Sequence, residues 1–318
     1  MESEIWASSR LTNISAYSNG QITYGEFRKK LSPLYLKNSL PLITSVFQII
    51  VVLSTTSSLS NSTSILNLVL VFFMSTILGL VAHRQLLLVH EGAHFHLAKN
   101  RSINDLLSNM FAGIFVATDT KTYRLIHNKH HQELGTNLDP ENSYSEEFDF
   151  TWVWSALLGI RVLKTLSKRQ KIENSPKQLF MLILSLIFHS TMIVVLSTIA
   201  FTVALVWILG YFIFMPFFGS LRNVLEHKYE MKFIEDSTIV KMVGSDLNHT
   251  TRMFTKSIFS KLFGVVGFDR HLIHHWDPSI PAINLKYVHS FFLTTELEPM
   301  LKALPTTYSR AFLRLISK

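Results

Sequence analysis

The stretch NSLPLITSVFQIIVVLSTTSSLSNSTSILNLVLVFFMSTILGLVA, residues 38–82, contains no Asp, Glu, Lys or Arg. A second block, residues 178–221, is equally free of charged side chains. A helix needs about 20 apolar residues to cross a bilayer, so each block is long enough for two spans joined by a turn. The two blocks therefore predict an all-α membrane protein with four transmembrane helices in two hairpins.

The turn of each hairpin is predicted from polarity. In the first block the polar run STTSSLSNSTS, residues 54–64, separates spans expected near residues 41–58 and 65–88. The second block has no comparable run, and its turn is expected near residues 197–202.

The overall composition agrees with a lipid environment. Hydrophobic residues make up 48% of the 318 residues and charged residues 16%, against about a quarter in soluble proteins. No linker-like stretch divides the chain, so residues 1–318 are expected to form a single domain, with residues 1–37 and 304–318 as interfacial or cytoplasmic tails. Because the first 37 residues are polar, no cleavable signal peptide is expected.

The basic residues predict the orientation in the membrane. All 30 Lys and Arg lie outside the two blocks, with five before the first, twelve between them and thirteen after the second. Two hairpins return the chain to its starting side, so these charges share one face, which the positive-inside rule assigns to the cytoplasm. The net charge of +8 thus follows from topology, and the scattered basic residues do not indicate a nucleic-acid partner.

Three segments near the spans have interfacial or buried character. The apolar run within residues 104–118 is too short to cross a bilayer and predicts a re-entrant or buried segment. Residues 23–36 and 151–163 combine aromatic, apolar and basic residues, as interfacial helices do. A C-terminal helix is expected to turn Phe312, Leu315 and Ile316 inward, opposite a basic stripe.

Eight of the 14 histidines form three short clusters, HEGAH at residues 90–94, HNKHH at 127–131 and HLIHH at 271–275. Spacings of three and four place the imidazoles of each cluster on one face of a helix. The first cluster alone fits the H-E-x-x-H pattern of a zinc protease, but that function would leave six histidines unused. Neighbouring imidazoles that carry protons repel one another, so the clusters predict metal ligation by His90, His94, His127, His130, His131, His271, His274 and His275.

Eight imidazoles indicate more than one metal ion. Catalytic zinc takes three protein ligands and a water, so two metals use the set better than one. Imidazole accepts iron, copper, nickel or zinc, and the ligand count therefore predicts the number of metals rather than their identity. Of these metals, a pair of iron ions fits a redox function beside a membrane best. The absence of cysteine excludes thiolate ligands and a cysteine nucleophile in this chain.

The clusters resemble the three histidine boxes of the integral-membrane fatty acid desaturase and hydroxylase superfamily. HHQELGTNLDPE (130–141) is similar to the segment after the family's second box, and HHWDPSIPAINL (274–285) to the stretch after the third box of acyl-lipid desaturases. RNVLEH (222–227) resembles an element that supplies one more histidine. The resemblance is strongest over residues 40–290 and implies a non-haem di-iron centre that uses O2 as co-substrate.

The resemblance also implies roles for residues near the boxes. His227 would be a ninth ligand. Carboxylates beside the boxes would accept the remaining ring N–H groups of the ligands, and the candidates are Glu91, Glu226, Asp269 and Asp139. Five histidines match no box and are expected to be structural: His83, His96, His189, His249 and His289.

The resemblance favours a fatty acyl desaturase, because of the segment after the third box. A hydroxylase or ketolase of the same superfamily, acting on an alkyl, carotenoid or small amphiphilic substrate, stays open. No cytochrome b5-like element with His-Pro-Gly-Gly is present, which implies a separate electron donor of the ferredoxin, rubredoxin or cytochrome b5 type. A metal transporter is disfavoured, since it would show more polar residues within its spans.

Overall fold

The computed structural model describes residues 7–8, 11–59, 65–172, 175–227, 250–263 and 265–317. About 75% of these residues are helical, which confirms the all-α prediction. A two-residue antiparallel pair joins β1 (Ala7–Ser8) to β2 (Thr250–Thr251). The helices are α1 Tyr24–Lys30, α2 Tyr35–Leu59, α3 Ile65–Ala93, α4 Arg101–Phe111, α5 Thr120–Glu133, α6 Phe150–Leu157, α7 Ile160–Ile172, α8 Pro176–Ile199, α9 Phe201–His227, α10 Ile258–Phe263, α11 His271–Trp276, α12 Leu285–Phe292, α13 Glu298–Ala303 and α14 Tyr308–Ile316, with short 3₁₀ turns at Ile14–Ala16, Gly113–Phe115, Val265–Arg270 and Ala282–Asn284.

Four of these helices, α2, α3, α8 and α9, are long and apolar enough to cross a membrane, as the sequence predicts. The second hairpin turns at Ala200, which has an extended backbone (φ −164°, ψ 140°) and lies inside the predicted interval. In the first hairpin α2 ends at Leu59 and α3 begins at Ile65, within about one residue of the expected span ends, so α2 continues through part of the polar run. Hydroxyl groups there bond within the helix, as Thr56 Oγ1 does to Val52 O at 2.8 Å, so they do not end it.

The described residues group into two compact units, each made of separate stretches of chain. The spanning unit comprises residues 35–128 and 147–221, and the terminal unit comprises residues 1–34, 129–146 and 222–318. The single-domain prediction stays a prediction.

In the spanning unit the four helices pack through small residues and aromatic rings. A Cβ added to Gly79 on α3 would lie 2.3 Å from Phe214 Cβ on α9, so only glycine allows this approach. The facing part of α9, Gly210–Phe214, forms a π-helical turn, which inserts one residue into the α-helical register. Trp207 of α9 is buried beside Leu78 of α3 in the core.

The outside of the spanning unit is apolar. Leu36, Phe72 and Val194 are 85%, 63% and 67% exposed, and such side chains recur along the spans. A bilayer, unlike water, stabilises such a surface. Arg84 lies in α3 within a predicted span and donates from Nη1 to Gln48 Oε1 of α2 at 2.6 Å.

The terminal unit packs short helices around aromatic rings. Tyr24 of α1 lies against Phe292 of α12, with ring centroids 4.7 Å apart, and donates its hydroxyl to Asp277 Oδ2 at 2.9 Å. Its C-terminal helix α14 buries Leu315 as expected. The prediction was wrong for Phe312 and Ile316, which are 36% and 52% exposed. The buried side of α14 is instead formed by Tyr308, Ala311 and Leu315, which are three and four residues apart.

Of the short segments, residues 104–118 form α4 and a 3₁₀ turn, and α4 has only 11 residues. The segment is therefore too short to cross a bilayer, as expected. In the segment 151–163, which covers most of α6 and the start of α7, Trp152 is buried and Trp154 is 49% exposed. The interfacial placement of this segment and of residues 23–36 stays a prediction.

Candidate metal centre

Three of the predicted ligands come together in the spanning unit. His90 lies in the last turn of α3, His94 follows the end of that helix, and His127 lies on α5. A ring nitrogen of each lies within 4.8 Å of the others, and the His90 and His127 ring centroids are 4.3 Å apart. His94 lies one residue beyond α3, but its N–H still donates to His90 O at 3.3 Å. The helical spacing expected for the first cluster is thus kept past the end of the helix.

The end of α3 is held in place by Arg124 of α5. Its guanidinium donates to Ala93 O at 2.7 Å and to Gly92 O at 3.1 Å, two carbonyls that have no partner inside the helix. It also pairs with Asp105 of α4 and lies 3.7 Å from the ring centroid of Phe95. Because His127 is three residues along α5 from Arg124, these contacts fix it relative to the first cluster.

Glu91 is fully buried among these residues. Its Oε2 accepts hydrogen bonds from Asn38 Nδ2 at 2.8 Å and lies 3.2 Å from His96 Nδ1, while its Oε1 lies 3.8 Å from His90 Nδ1. Asn38 also donates to His96 O at 3.0 Å, so one amide joins the start of α2 to both residues. His96, expected to be structural, thus shares a carboxylate with the first box.

The terminal unit holds the remaining predicted ligands. Ring nitrogens of His130, His227 and His275 lie within 4.8 Å of one another, and all three residues are buried. His271 Nε2 lies 2.9 Å from His275 Nε2 on α11. The second and third clusters are both helical, as their spacing predicts, on α5 and α11.

A further pair of nitrogens faces each other in this unit. His131 Nε2 and His274 Nε2 are 3.2 Å apart, although the residues are 143 positions apart in sequence. His227 lies next to Thr251, whose Oγ1 is 3.3 Å from His227 Nδ1. Glu226, His227 and His271 also offer ligand atoms within 4.8 Å of one another.

Two of the predicted carboxylates contact box histidines. His130 Nδ1 lies 3.0 Å from both oxygens of Asp139, and Tyr144 donates its hydroxyl to Asp139 Oδ2 at 2.6 Å. His271 Nδ1 lies 2.8 Å from Glu226 Oε2. A carboxylate beside Nδ1 favours the tautomer that keeps the proton on Nδ1 and leaves the lone pair on Nε2 for a metal ion.

Glu226 has two further partners, and Asp269 has a different one. Arg222 Nε lies 2.8 Å from Glu226 Oε1, and Tyr308 donates to the same oxygen at 3.1 Å. The carboxylate of Asp269 pairs with Arg270 Nη1 at 2.8 Å. Among the described residues, Asp139 and Glu226 therefore lie on a box imidazole and Asp269 does not.

The arrangement fits transition-metal ligation. Two imidazoles bound about 2.1 Å from one metal ion at right angles have nitrogens about 3.0 Å apart. This separation is close to the 2.9 Å between Nε2 of His271 and His275 and the 3.2 Å between Nε2 of His131 and His274. Burial, more than the nearby charges, lowers the pKa of His271 and of His275. Both are therefore neutral near pH 7, and neutral imidazole is the form that binds metal.

The other histidines have separate surroundings. In the spanning unit His189 accepts a hydrogen bond from Trp207 Nε1 at Nδ1, and its Nε2 lies 3.1 Å from Phe115 O. His83 is buried in α3, and His289 is partly buried on α12. His249 lies outside the described residues.

Sequence reasoning missed residues that act on the boxes from a distance along the chain. Asn38 and Arg124 contact the first box, and Tyr144 and Tyr308 contact the carboxylates of the others. The one sequence signal for Asn38 was an amide at the start of an uncharged block.

The sequence also matches a model of a known protein family. The family model described as fatty acid desaturase matches residues 66–303, three quarters of the chain, and this match includes all three histidine clusters. No match was found among curated proteins.

Proposed function

Because the chain belongs to the fatty acid desaturase family, we propose that it is an O2-dependent oxidoreductase that introduces a double bond into a fatty acyl chain. Family membership and four membrane-spanning helices support this proposal. Lipid, coenzyme A or acyl carrier protein would present the acyl chain, as the resemblance implies.

The proposal assigns two iron ions to the nine histidines. The observation that carries it is the pair of carboxylate–imidazole contacts, Asp139 with His130 and Glu226 with His271, in a cluster of buried imidazoles. Such contacts fix the tautomer and orientation of metal-binding histidines. Iron held there would supply the activation of O2 and the oxidising power to remove hydrogen from an unactivated C–H bond.

The protein's own residues prepare this site by holding protons away from the ligand nitrogens. Asp139 keeps the proton of His130 on Nδ1, and Tyr144 satisfies the same carboxylate from its other side. The Arg222 guanidinium offsets the negative charge of Glu226, and Tyr308 donates to it. The imidazoles are therefore oriented before a metal ion arrives.

Two outcomes of hydrogen abstraction distinguish the candidate activities. A desaturase removes a second hydrogen, and a hydroxylase returns oxygen to the carbon. The segment HHWDPSIPAINL after the third box resembles that of acyl-lipid desaturases and favours the first. The mass of the product separates them, since desaturation loses two hydrogens and hydroxylation gains one oxygen.

A zinc protease that uses His90, Glu91 and His94 is the distant alternative. Its mechanism needs a glutamate that accepts a proton from a metal-bound water. Glu91 is fully buried, and its carboxylate is bonded by Asn38 and lies beside His96. These contacts favour a positioning role for Glu91 over a hydrolytic one.

We further propose that the histidine boxes and both termini face the cytoplasm, and that electrons arrive from a separate ferredoxin, rubredoxin or cytochrome b5. The distribution of Lys and Arg supports the orientation. An acidic donor would be steered by the basic face, so turnover should fall as salt is raised. Turnover that does not change with salt would argue against electrostatic docking.

The test is metal content and O2 uptake of the detergent-purified protein, reduced and supplied with acyl lipids. About two irons per chain and substrate-dependent O2 uptake support the proposal. His289→Gln, outside the boxes, is the control that should keep its iron. Bound zinc with no O2 uptake, from cells supplied with ample iron, would refute the proposal.

A further inference from the structure

We propose that residues 101–119 form a re-entrant element that enters one leaflet of the bilayer and returns, with the outer face of α4 in contact with acyl chains. The element lies wholly in the spanning unit. Its residues precede α5, which carries the second histidine box.

The outer face of α4 is apolar, although polar side chains are buried on its inner face. Asn104 and Ser108 face inward and are fully buried, whereas Ile103, Leu106 and Met110 are 50%, 56% and 57% exposed. These three apolar positions are three and four residues apart, so they form one stripe. Acyl chains stabilise such a stripe, and water does not.

Hydrogen bonds fix which side of α4 faces the protein. Asn104 Nδ2 donates to Gly92 O at 2.8 Å, and Asn104 Oδ1 accepts from Leu97 N at 3.0 Å. Thr120 Oγ1 donates to Ser108 Oγ at 2.7 Å. The helix cannot turn its apolar stripe inward without losing these buried bonds.

The segment after α4 is irregular, and side chains of the spanning helix α8 bond its carbonyl groups. Gln178 Nε2 donates to Ala117 O at 2.7 Å and Ser185 Oγ donates to Ile114 O at 2.7 Å. His189 Nε2 lies 3.1 Å from Phe115 O. Gln178, Ser185 and His189 are seven and four residues apart, so they form one polar face on an apolar span.

These bonds give the depth of the segment. With a rise of about 1.5 Å per residue, His189 lies about 20 Å from the start of α8, a helix about 36 Å long. Phe115 is bonded there and lies 6.1 Å, centroid to centroid, from the Tyr211 ring of α9. At the other end, Gln178 Oε1 accepts from Asp119 N at 2.9 Å, near the start of α8. The chain therefore reaches mid-span at Phe115 and is back at the helix start by Asp119.

The bilayer explains why α8 carries these polar groups. Irregular backbone occurs at membrane depth only where its polar groups are satisfied by protein or by water in a cavity. The three α8 side chains bond three of the four carbonyls of residues 114–117. The exposed apolar stripe of α4 belongs to the same unit as the exposed apolar side chains of the spans, so the occupant that we propose for it is the acyl chains of one leaflet.

The chain has no cysteine, so single cysteines can carry spin labels without removing native residues. Labels at Leu106 and Ile114 would be read in phosphatidylcholine–phosphatidylglycerol vesicles by collision with O2, which enters lipid, and with a water-soluble nickel chelate. Labels at exposed positions of α8 in the same unit give the reference depths, and these positions are Leu179, Leu186 and Val194.

We expect the Leu106 label to be lipid-accessible at a depth near Leu179, and the Ile114 label to match Leu186, about 10 Å deeper along the helix. An Ile114 depth equal to that of Leu179 would overturn the re-entrant path. A Leu106 label reached by the nickel chelate would overturn the lipid contact. A Leu106 label reached by neither reagent would mean that a protein covers α4, and would also overturn it.

A second measurement tests the bonds from α8. Ser185→Ala should speed hydrogen exchange of the amides of residues 113–118 by about tenfold, because a buried bond is lost. Ser190→Ala, the same change at an exposed position of α8, is the matched control and should leave exchange unchanged. Unchanged exchange in a folded Ser185→Ala protein would refute the role of Ser185.

Discussion

Replacing Asp139 with Asn is expected to weaken iron binding without unfolding the protein. The carboxylate of Asp139 is buried, lies 3.0 Å from His130 Nδ1 through both oxygens, and accepts from Tyr144. Asparagine keeps the shape and one acceptor oxygen but removes the negative charge that makes the imidazole a better ligand.

The expected loss is about 10-fold to 100-fold in iron affinity, the usual effect of removing such a partner, or about 1.4–2.7 kcal/mol. The assay is an anaerobic titration of the purified protein with Fe(II) against a competing chelator. At saturating iron the variant should still bind the same number of ions, because no ligand has been removed.

Asp269→Asn is the matched control, since this carboxylate contacts Arg270 in the described structure. Its iron affinity should stay within about twofold of the parent protein, as for a change away from the ligands. Equal affinities of the Asp139→Asn and parent proteins would refute the role given to Asp139. If the Asp269→Asn protein bound iron as weakly as the Asp139→Asn protein, the loss of affinity would come from the change in net negative charge and not from a lost contact with an imidazole.

Three other perturbations test separate parts of the molecule. His131→Ala and His274→Ala should each abolish activity and lower the bound iron. The protein should still insert, because the spans hold it in the membrane. If either variant were active, the histidine box that contains that residue would not belong to the site. Arg124→Met should lower the free energy of unfolding in detergent by about 2–4 kcal/mol, because charged hydrogen bonds are lost. The control Arg101→Met, at an exposed position, should lower it by less than about 1 kcal/mol. Equal losses in the two variants would contradict the role of Arg124. Burial, with a smaller contribution from Arg270, lowers the pKa of His289 to about 4. As the pH falls below 6.5, the unfolded chain therefore takes up a proton at this residue before the folded protein does, and the free energy of unfolding decreases. Between pH 6.5 and pH 5 the share of this loss that comes from His289 should be about 1–2 kcal/mol. Thermal unfolding at both pH values should therefore show a loss smaller by that amount in His289→Gln than in the parent protein.

The spans could be predicted because the absence of charge over some 45 residues is a local property that few other structures allow. The polar run begins at Ser54 without ending α2, since Thr56 satisfies its hydroxyl on Val52 O inside the helix, and α2 ends at Leu59, one residue from the expected position. The inward face of α14 was mispredicted, because a basic stripe marks one side of a helix without telling which neighbours cover the rest. There the buried side begins at Tyr308, whose hydroxyl bonds Glu226.

The candidate ligands were accessible from sequence because box histidines recur at three and four residues, which any helix brings to one face. Asp139 and Glu226 stood close to boxes in sequence, and the structure places both on imidazoles. Asp269 stood closer to a box than Asp139 did, two residues before His271, but contacts Arg270, so proximity in sequence did not decide the partner. Contacts such as that of Asn38 with Glu91 depend on the packing of α2 against α3, and no local pattern encodes them.

The packing around Gly92 restricts a position of the first box that the H-E-x-x-H pattern leaves open to any residue. A Cβ at this position would lie 2.3 Å from Ser108 Oγ and 2.6 Å from Ser108 Cβ, both on α4. Any other residue would push α4 away from the end of α3, and with it the buried bonds of Asn104 and Thr120. Among relatives that keep this α3–α4 contact, a side chain at the glycine position should appear together with a change at the serine. Substitutions at these two positions should therefore be inherited as a pair.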